Sequence, residues 1–161
     1  QFSPNAGIES LAMLHFGRLL AIVEGGKDGR RDAWIIDGDR LIRRTYPAAD
    51  GFDPTDAVAL PNGDVLVLER RFNGLAPPFF SSRLARIPAA SVDAPDGPFE
   101  LLGRFDLAGV LPSENWEGMD VASIDEITSL WLVSDDNMRW PQNTLLARLP
   151  LEYVLESTAR H

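Results

Sequence analysis

Acidic residues occur in three pairs along this chain, and each pair brackets a short turn signal. The turns centre near residue 16, at residues 62–63 and near residue 125. The pairs are Glu9 with Glu24, Asp56 with Glu69, and Glu117 with Asp135. In an antiparallel hairpin, the start of the first strand lies opposite the end of the second. If the hairpins are the inner strands of neighbouring units, all six carboxylates are predicted to meet at one rim.

Carboxylates that close together suggest a cation site. They repel one another and raise each other's proton affinity, and a hard cation such as calcium relieves the repulsion by accepting about six to eight oxygen ligands. Further oxygen donors near the same strand ends could complete the shell: Asn5, Asn115, Ser134, Asp136 and Asn137. The six paired acids are therefore predicted calcium ligands. The alternative is that they are solvated strand ends, which are common in an acidic protein.

Basic residues near the same strand ends could form a second part of the site. Arg70 and Arg71 directly follow Glu69, while Lys27, Arg30 and Arg31 follow Glu24 in a glycine-rich loop. Guanidinium groups form charge-assisted hydrogen bonds with phosphate oxygens. A phosphate group beside the cation is thus one interpretation. The other is that each arginine pairs with a neighbouring acid or faces solvent.

The residues that several other catalytic and metal-binding sites require are absent from this chain. The chain has no cysteine, so thiol nucleophiles and zinc–thiolate sites are excluded. It has no Gly-x-Ser-x-Gly motif, the nucleophile elbow of α/β-hydrolases, so that class of enzyme is excluded. Its two histidines are His15, in a predicted turn, and His161, at the end, so a Ser–His–Asp triad and a histidine-ligated metal are not expected.

The sequence predicts the strands that position these residues. Short runs of Val, Ile, Leu, Phe and Trp alternate with Gly, Pro, Asn and Asp clusters, and the pattern repeats weakly in units of residues 5–47, 52–107 and 115–149. We expect an all-β, propeller-like fold of antiparallel four-stranded blades, about three in number, in a single domain or fragment over residues 1–161. The third unit lacks its outermost strand. Residues 151–161 are either a helix or a frayed tail.

Composition limits the partners. Of 161 residues, 45% are hydrophobic and 24% charged, an ordinary globular mixture. No apolar run approaches the roughly 18 residues that a membrane-spanning helix needs. The formal net charge of −9 disfavours nucleic acid and anionic membranes as partners, because both are polyanions. No signal peptide is visible at residues 1–4.

Several stretches together resemble the phytase-like family described as having esterase-like activity. The resemblance runs from about residue 5 to residue 149. It rests on Asn115-Trp116-Glu117-Gly118-Met119, Ser134-Asp135-Asp136-Asn137, Gln142-Asn143-Thr144, Gly51-Phe52-Asp53-Pro54-Thr55-Asp56, Leu68-Glu69-Arg70-Arg71 and Gly7-Ile8-Glu9-Ser10.

The resemblance implies a β-propeller-like fold and, through remote kinship with alkaline phytases, calcium-associated phosphoester chemistry. It also implies a bacterial protein with a periplasmic or secreted location. Because the chain resembles only the C-terminal part of the family, its open sheet edges are expected to be covered by missing N-terminal blades or by a second copy, or to be accommodated by an unusual open arrangement.

Two functions follow as hypotheses. The first is a calcium-dependent hydrolase acting on a small phosphorylated or ester substrate. Its predicted catalytic residues are Glu69, Glu117, Asp135 and Asp136, and its predicted substrate-binding residues are Arg70, Arg71, Asn115 and Asn137. The second is a non-catalytic binding module, with a structural calcium or none, in which a partner docks on loops such as residues 72–80.

Overall fold

The computed structural model describes residues 7–25, 29–74, 76–138 and 141–159. They form three antiparallel sheets, which we call blades 1, 2 and 3 in chain order. Blade 1 has the strand order β1-β2-β3-β4, built from β1 (Ile8–Met13), β2 (Leu19–Val23), β3 (Arg30–Asp37) and β4 (Arg40–Pro47). Every strand pairs with its sequence neighbour, as in a meander.

Blade 2 repeats this order, and blade 3 repeats its first three strands. Blade 2 contains β5 (Asp53–Ala59), β6 (Val65–Phe72), β7 (Phe80–Ile87) and β8 (Gly103–Asp106), with a short helix α1 (Ala89–Val92) after β7. Blade 3 contains β9 (Trp116–Ile124), β10 (Ile127–Ser134) and β11 (Leu146–Pro150), followed by helix α2 (Leu151–Thr158). The prediction of an all-β fold made of antiparallel, propeller-like blades is confirmed.

The first strands of the blades lie closest together. Strand β5 packs between β1 and β9, so blade 2 is the central blade and the three inner strands share one side of the molecule. Helix α2 packs against β7, β8, β10 and β11, and it thus joins blades 2 and 3. Within the described ranges, no helix is long and apolar enough to cross a membrane.

Two hydrophobic cores lie between the blades, one on each side of blade 2. In β6, Val65 and Val67 face blade 1, whereas Leu66 and Leu68 face blade 3. All four side chains are fully buried. A strand covered on both faces reads as a continuous apolar run, which explains why this segment shows no hydrophobic–polar alternation.

The three inner hairpins share one irregularity near the end of the hairpin away from its turn. In each, the first strand carries one extra residue, a β-bulge, opposite the end of the second strand. The bulged residues are Glu9, Thr55 and Glu117. This shared register also defines equivalent residues on the second strands. At the far side of each bulge, the second strand pairs through Val23, Glu69 or Ser134. The residues that directly follow these three, Glu24, Arg70 and Asp135, are therefore equivalent. The predicted pairing of Asp56 with Glu69 is wrong, because Glu69 pairs with Pro54, and Asp56 pairs with Leu68.

Candidate functional site at the blade rim

The bulges and the strand ends build a polar rim on the inner side of the blades. A β-bulge bends its strand and re-aims the side chain it carries. Blade 1 contributes Glu9 and Glu24, and blade 3 contributes Glu117 and Asp135. Blade 2 contributes Thr55 and Arg70 at the equivalent positions. A guanidinium group therefore stands where the acidic pattern predicted a carboxylate.

Arg70 connects two blades at this rim. Its Nη1 donates hydrogen bonds to Asn115 Oδ1 and Glu117 Oε1, both from blade 3. Its Nη2 lies 3.7 Å from Glu24 Oε1 of blade 1. Asn115 is fully buried, and its Nδ2 donates to Glu117 Oε1 at 2.8 Å. The structure thus brings together four of the predicted site residues, Glu24, Arg70, Asn115 and Glu117.

Negative charge accumulates around Glu24. Burial raises the pKa of its carboxyl above 4.5, and the charges of Glu9, Asp53 and Glu117 raise it further, while Arg70 opposes them. Asp53 in turn accepts hydrogen bonds from the Gly25 amide at 3.1 Å and from Arg31 Nε. Four carboxylates thus share this region with two guanidiniums: Arg70 contacts Glu24 and Glu117, and Arg31 contacts Asp53.

An open pocket of about 400 Å³ adjoins Arg70. Its walls comprise Arg70, Phe72, Phe80, Glu117, Asn137 and Gln142. Asn137 Nδ2 donates to Gln142 Oε1 at 3.0 Å, which holds the two amides together. The guanidinium of Arg70 also lies 5.4 Å from the centre of the Phe80 ring. The pocket therefore combines a positive group, a carboxylate, two amides and an aromatic wall.

The segment of residues 72–80, predicted as a docking loop, contributes to this pocket. Phe80 is buried and Phe72 is 57% exposed, with their ring centres 5.5 Å apart. Leu75 lies outside the described residues.

Asp135 and Asp136 lie in the loop after β10. Asp135 accepts a hydrogen bond from the Asn137 amide at 3.1 Å, and Asp136 accepts one from the Met138 amide at 2.8 Å. Their carboxylates therefore shape the loop that carries Asn137 to the pocket. Ser134, the preceding residue, is buried, and its hydroxyl donates to the Asn143 carbonyl at 2.7 Å.

Asp56 joins the inner strands of blades 2 and 3. Its carboxylate accepts the Met119 amide of β9 at 2.6 Å and the Ala57 amide at 2.8 Å. Burial raises its pKa although these amides lower it, and the charge of Asp120 adds to the rise. Asp56 therefore acts as a bridge between blades, one position beyond the bulge.

Glu69 lies away from the rim, on the face of β6 that packs against blade 1. It is fully buried and accepts hydrogen bonds from Tyr46 Oη at 2.8 Å, Arg104 Nε at 3.0 Å and Arg83 Nε. Burial, together with the neighbouring Glu69 carboxylate, raises the pKa of Tyr46 well above 10.0. Burial alone would lower the pKa of Arg104, but its contact with Glu69 raises it.

Arg71 shares this face of β6. Its guanidinium stacks on the Phe52 ring at 4.7 Å and donates to the Asp50 carbonyl and to Asn73 Oδ1. The structure therefore separates Arg71 from the pocket that Arg70 lines. Asn5 and Lys27, also noted in the sequence, lie outside the described residues.

The sequence reasoning missed Asp53 and Gln142. Asp53 was detectable in principle, because it stands two residues before a bulge, as Asn115 does in blade 3. Gln142 belongs to one of the stretches that resemble the family, but no strand pattern marked it as a site residue, since it reaches the pocket through the loop between β10 and β11. As the side chains stand, no group of three or more acidic or histidine residues in the described ranges is arranged to hold a metal ion.

Comparison with protein families identifies a family whose model matches this chain. The family model described as "Phytase-like: Esterase-like activity of phytase" matches residues 1–138. Comparisons with curated proteins and with solved structures found no match. The matched range includes the rim residues of all three blades.

Proposed function

Because the chain belongs to the phytase-like family with its esterase-like activity, we propose that the rim pocket binds and hydrolyses a phosphate ester. The observation that carries this proposal is the position of Arg70 in the pocket wall. Its side chain is 20% exposed, and it is held by partners from two blades. A guanidinium fixed in this way is prepared to donate hydrogen bonds to phosphate oxygens.

The remaining pocket residues would orient the ester. The amides of Asn137 and Gln142 stand on the same wall and can bind further oxygens of the substrate. The aromatic wall of Phe72 and Phe80 suits the organic part of an ester. Asp135 and Asp136 remain candidate general bases in this proposal. Glu69 does not contact the substrate in this proposal, because its side chain is fully buried.

We further propose that calcium binds at this rim, through fewer carboxylates than the sequence suggested. Glu9, Glu24 and Glu117 would have to move together to hold it, because the described carboxylates are not arranged as a metal site as they stand. Asn115 Oδ1 could add a neutral oxygen ligand, and carboxylate and amide oxygens are the ligands that calcium prefers. The ion would supply positive charge that polarises a phosphoryl oxygen. Glu24 and Glu117 are also the partners of Arg70. A cation on them would leave the guanidinium free for phosphate, so the two ligands should bind cooperatively.

A non-catalytic binding module is the second candidate, and one observation favours it. Each carboxylate that could act as a base near the pocket already has a structural partner. Glu117 is paired with Arg70, and the two loop aspartates accept backbone amides. In this case the pocket would hold a phosphorylated ligand without turning it over. In either case, a periplasmic or secreted location remains a prediction from the resemblance.

The test is hydrolysis of p-nitrophenyl phosphate, measured with added calcium and with EDTA. We expect calcium-dependent turnover in the wild-type chain and a fall of about 100-fold in kcat/KM for Arg70→Met, the usual size of losing one preorganised charge-stabilising donor. Arg18→Met is the matched control. Arg18 also pairs with an aspartate, its side chain is 19% exposed, and it lies beside the turn of hairpin β1–β2, at the far end from the rim.

Binding measurements separate the two candidates. Isothermal titration with inorganic phosphate, with and without calcium, should show tighter phosphate binding when calcium is present. Saturable binding that Arg70→Met abolishes, without any turnover, would favour the binding module. A wild-type chain that neither binds phosphate nor hydrolyses the ester would contradict both candidates.

A further inference from the structure

The shared register shows which side chains each blade turns toward the next blade. On the second strand of blades 1, 2 and 3, one set of equivalent residues is Leu20, Leu66 and Trp131. A second set, two residues later, is Ile22, Leu68 and Val133. In blades 1 and 2 these four side chains are completely buried against the following blade. In blade 3, Val133 is 43% exposed.

The third strand gives the same contrast. Ala33, Leu84 and Leu146 occupy one position in the three blades, because each pairs with the equivalent residue of the second strand. Ala33 and Leu84 are fully buried, whereas Leu146 is 69% exposed. We call this side of blade 3, formed by Trp131, Val133 and Leu146, the forward face.

Blade 1 presents the complementary side. Leu11 is equivalent to Ala57 and Met119, which pack in the cores toward the preceding blade. Met13 is equivalent to Ala59 and Val121, which do the same. In blade 1, however, Leu11 is 55% exposed and Met13 is 65% exposed. We call this side, formed by Leu11, Met13, Leu19 and Ile36, the backward face.

The chain thus exposes both halves of an interface that it already forms twice. A forward face packs on a backward face between blades 1 and 2, and again between blades 2 and 3. Exposed apolar side chains clustered on one face of a sheet are typical of an interaction surface. A second copy of this chain carries the matching side chains for both faces.

We infer that the forward face of blade 3 binds the backward face of blade 1 in a second copy, and that the reciprocal contact closes a ring. A contact between two different faces either closes or propagates. Three blades from each copy give six, which lies within the roughly four to eight blades of closed propellers. Closure would also bring the rims of both copies around one channel, independently of what those rims bind.

The test is the mass of the purified chain in solution, by sedimentation velocity and light scattering. The monomer mass is 17.7 kDa, and we expect a dimer of twice that mass. Leu146→Asp on the forward face and Leu11→Asp on the backward face should each yield monomers. Leu102→Asp is the control, since Leu102 is 42% exposed but precedes β8 at the outer side of blade 2 and belongs to neither face. Circular dichroism melting would verify that each variant folds.

Mixing the two monomeric variants distinguishes this contact from a symmetric one. The intact forward face of Leu11→Asp can bind the intact backward face of Leu146→Asp, so a mixed dimer should form, whereas a contact of one face with itself would not be rescued. A wild-type monomer at all concentrations would overturn the inference and leave the faces to blades from another polypeptide. A dimer that both variants leave intact, or a series of larger open assemblies, would also overturn it.

Discussion

At the scale of single residues, a shift of one position separates Glu69 from the rim. The acidic pattern placed Glu69 opposite Asp56, as Glu24 lies opposite Glu9, but the bulge makes Arg70 the equivalent of Glu24. Successive residues in a strand point to opposite faces, so a one-residue change in register sends a side chain to the other side of the sheet. Glu69 consequently lies among Tyr46, Arg83 and Arg104, in the interface between blades 1 and 2.

Glu69→Gln should strongly destabilise the chain. The substitution removes the negative charge from a site that is fully buried and leaves the guanidiniums of Arg83 and Arg104 without their shared counter-charge. Removing one partner of a buried ion pair lowers the free energy of unfolding by about 3–5 kcal/mol. Urea unfolding at pH 7 measures this loss, with Glu100→Gln, at an exposed site, as the control. A loss below about 1 kcal/mol would show that water or other acceptors replace the carboxylate.

Asp64 offers a pH-dependent test away from the rim. Burial alone would raise the pKa of its carboxyl, but the Ala89 amide, Arg86 and Asn62 hold it below 3.8. A lowered pKa in the folded state contributes stability above the unfolded pKa, and this contribution is lost as the pH falls through the folded value.

Asp64→Asn should therefore cost stability at pH 7 and progressively less below about pH 4. Hydrogen bonds to a charged group contribute about 1.5–3 kcal/mol, which sets the size of the expected loss at neutral pH. Urea unfolding of both proteins at pH 7 and at low pH measures the difference. Asp106→Asn, at an exposed position of β8, should change stability little at either pH. A difference that stays constant with pH would contradict the assigned hydrogen bonds.

At the scale of elements, the sequence predicted the strands well and the bulges not at all. Apolar runs and turn residues mark β2, β6 and β10, since these strands must be apolar to be covered by two cores. The bulged residues are Glu9, Thr55 and Glu117. No single residue type marks all three bulges, because a bulge depends on backbone register rather than on side-chain chemistry. The convergence of Glu24 and Glu117 on Arg70 follows from these bulges, and so it was not predictable from the acidic pattern.

Gly118, directly after the third bulge, allows β9 and β10 to approach closely. A Cβ atom at this position would lie 2.8 Å from Val133 Cγ1, and Val133 is β-branched and hence stiff. Gly118→Ala should cost about 1–3 kcal/mol, the range for overpacking. In a double-mutant cycle, Val133→Ala should recover most of this loss. If the double variant is as unstable as Gly118→Ala, the strain lies in the backbone and not in the Val133 contact.

At the scale of the whole molecule, the weak repeat in the sequence correctly indicated blades. It could not indicate which blade faces are covered, because the same positions are apolar in all three units. Leu84 in blade 2 and Leu146 in blade 3 illustrate this. They are the same residue type at the same repeat position, yet one is completely buried and the other is 69% exposed. Their surroundings differ only because α2 and blade 3 follow blade 2, whereas the described chain places no blade after blade 3.

This matched pair also tests how the open faces affect stability. Leu84→Ala should cost about 2–5 kcal/mol at any protein concentration, because it empties a packed core. Leu146→Ala should cost little in the monomer, since its side chain is exposed there. If a second copy covers the forward face, association stabilises the folded chain by mass action. The melting temperature of the wild type should then rise with protein concentration, and Leu146→Ala should lose that rise while Leu84→Ala keeps it. A wild-type melting temperature independent of concentration would instead show that the forward face stays open in this chain.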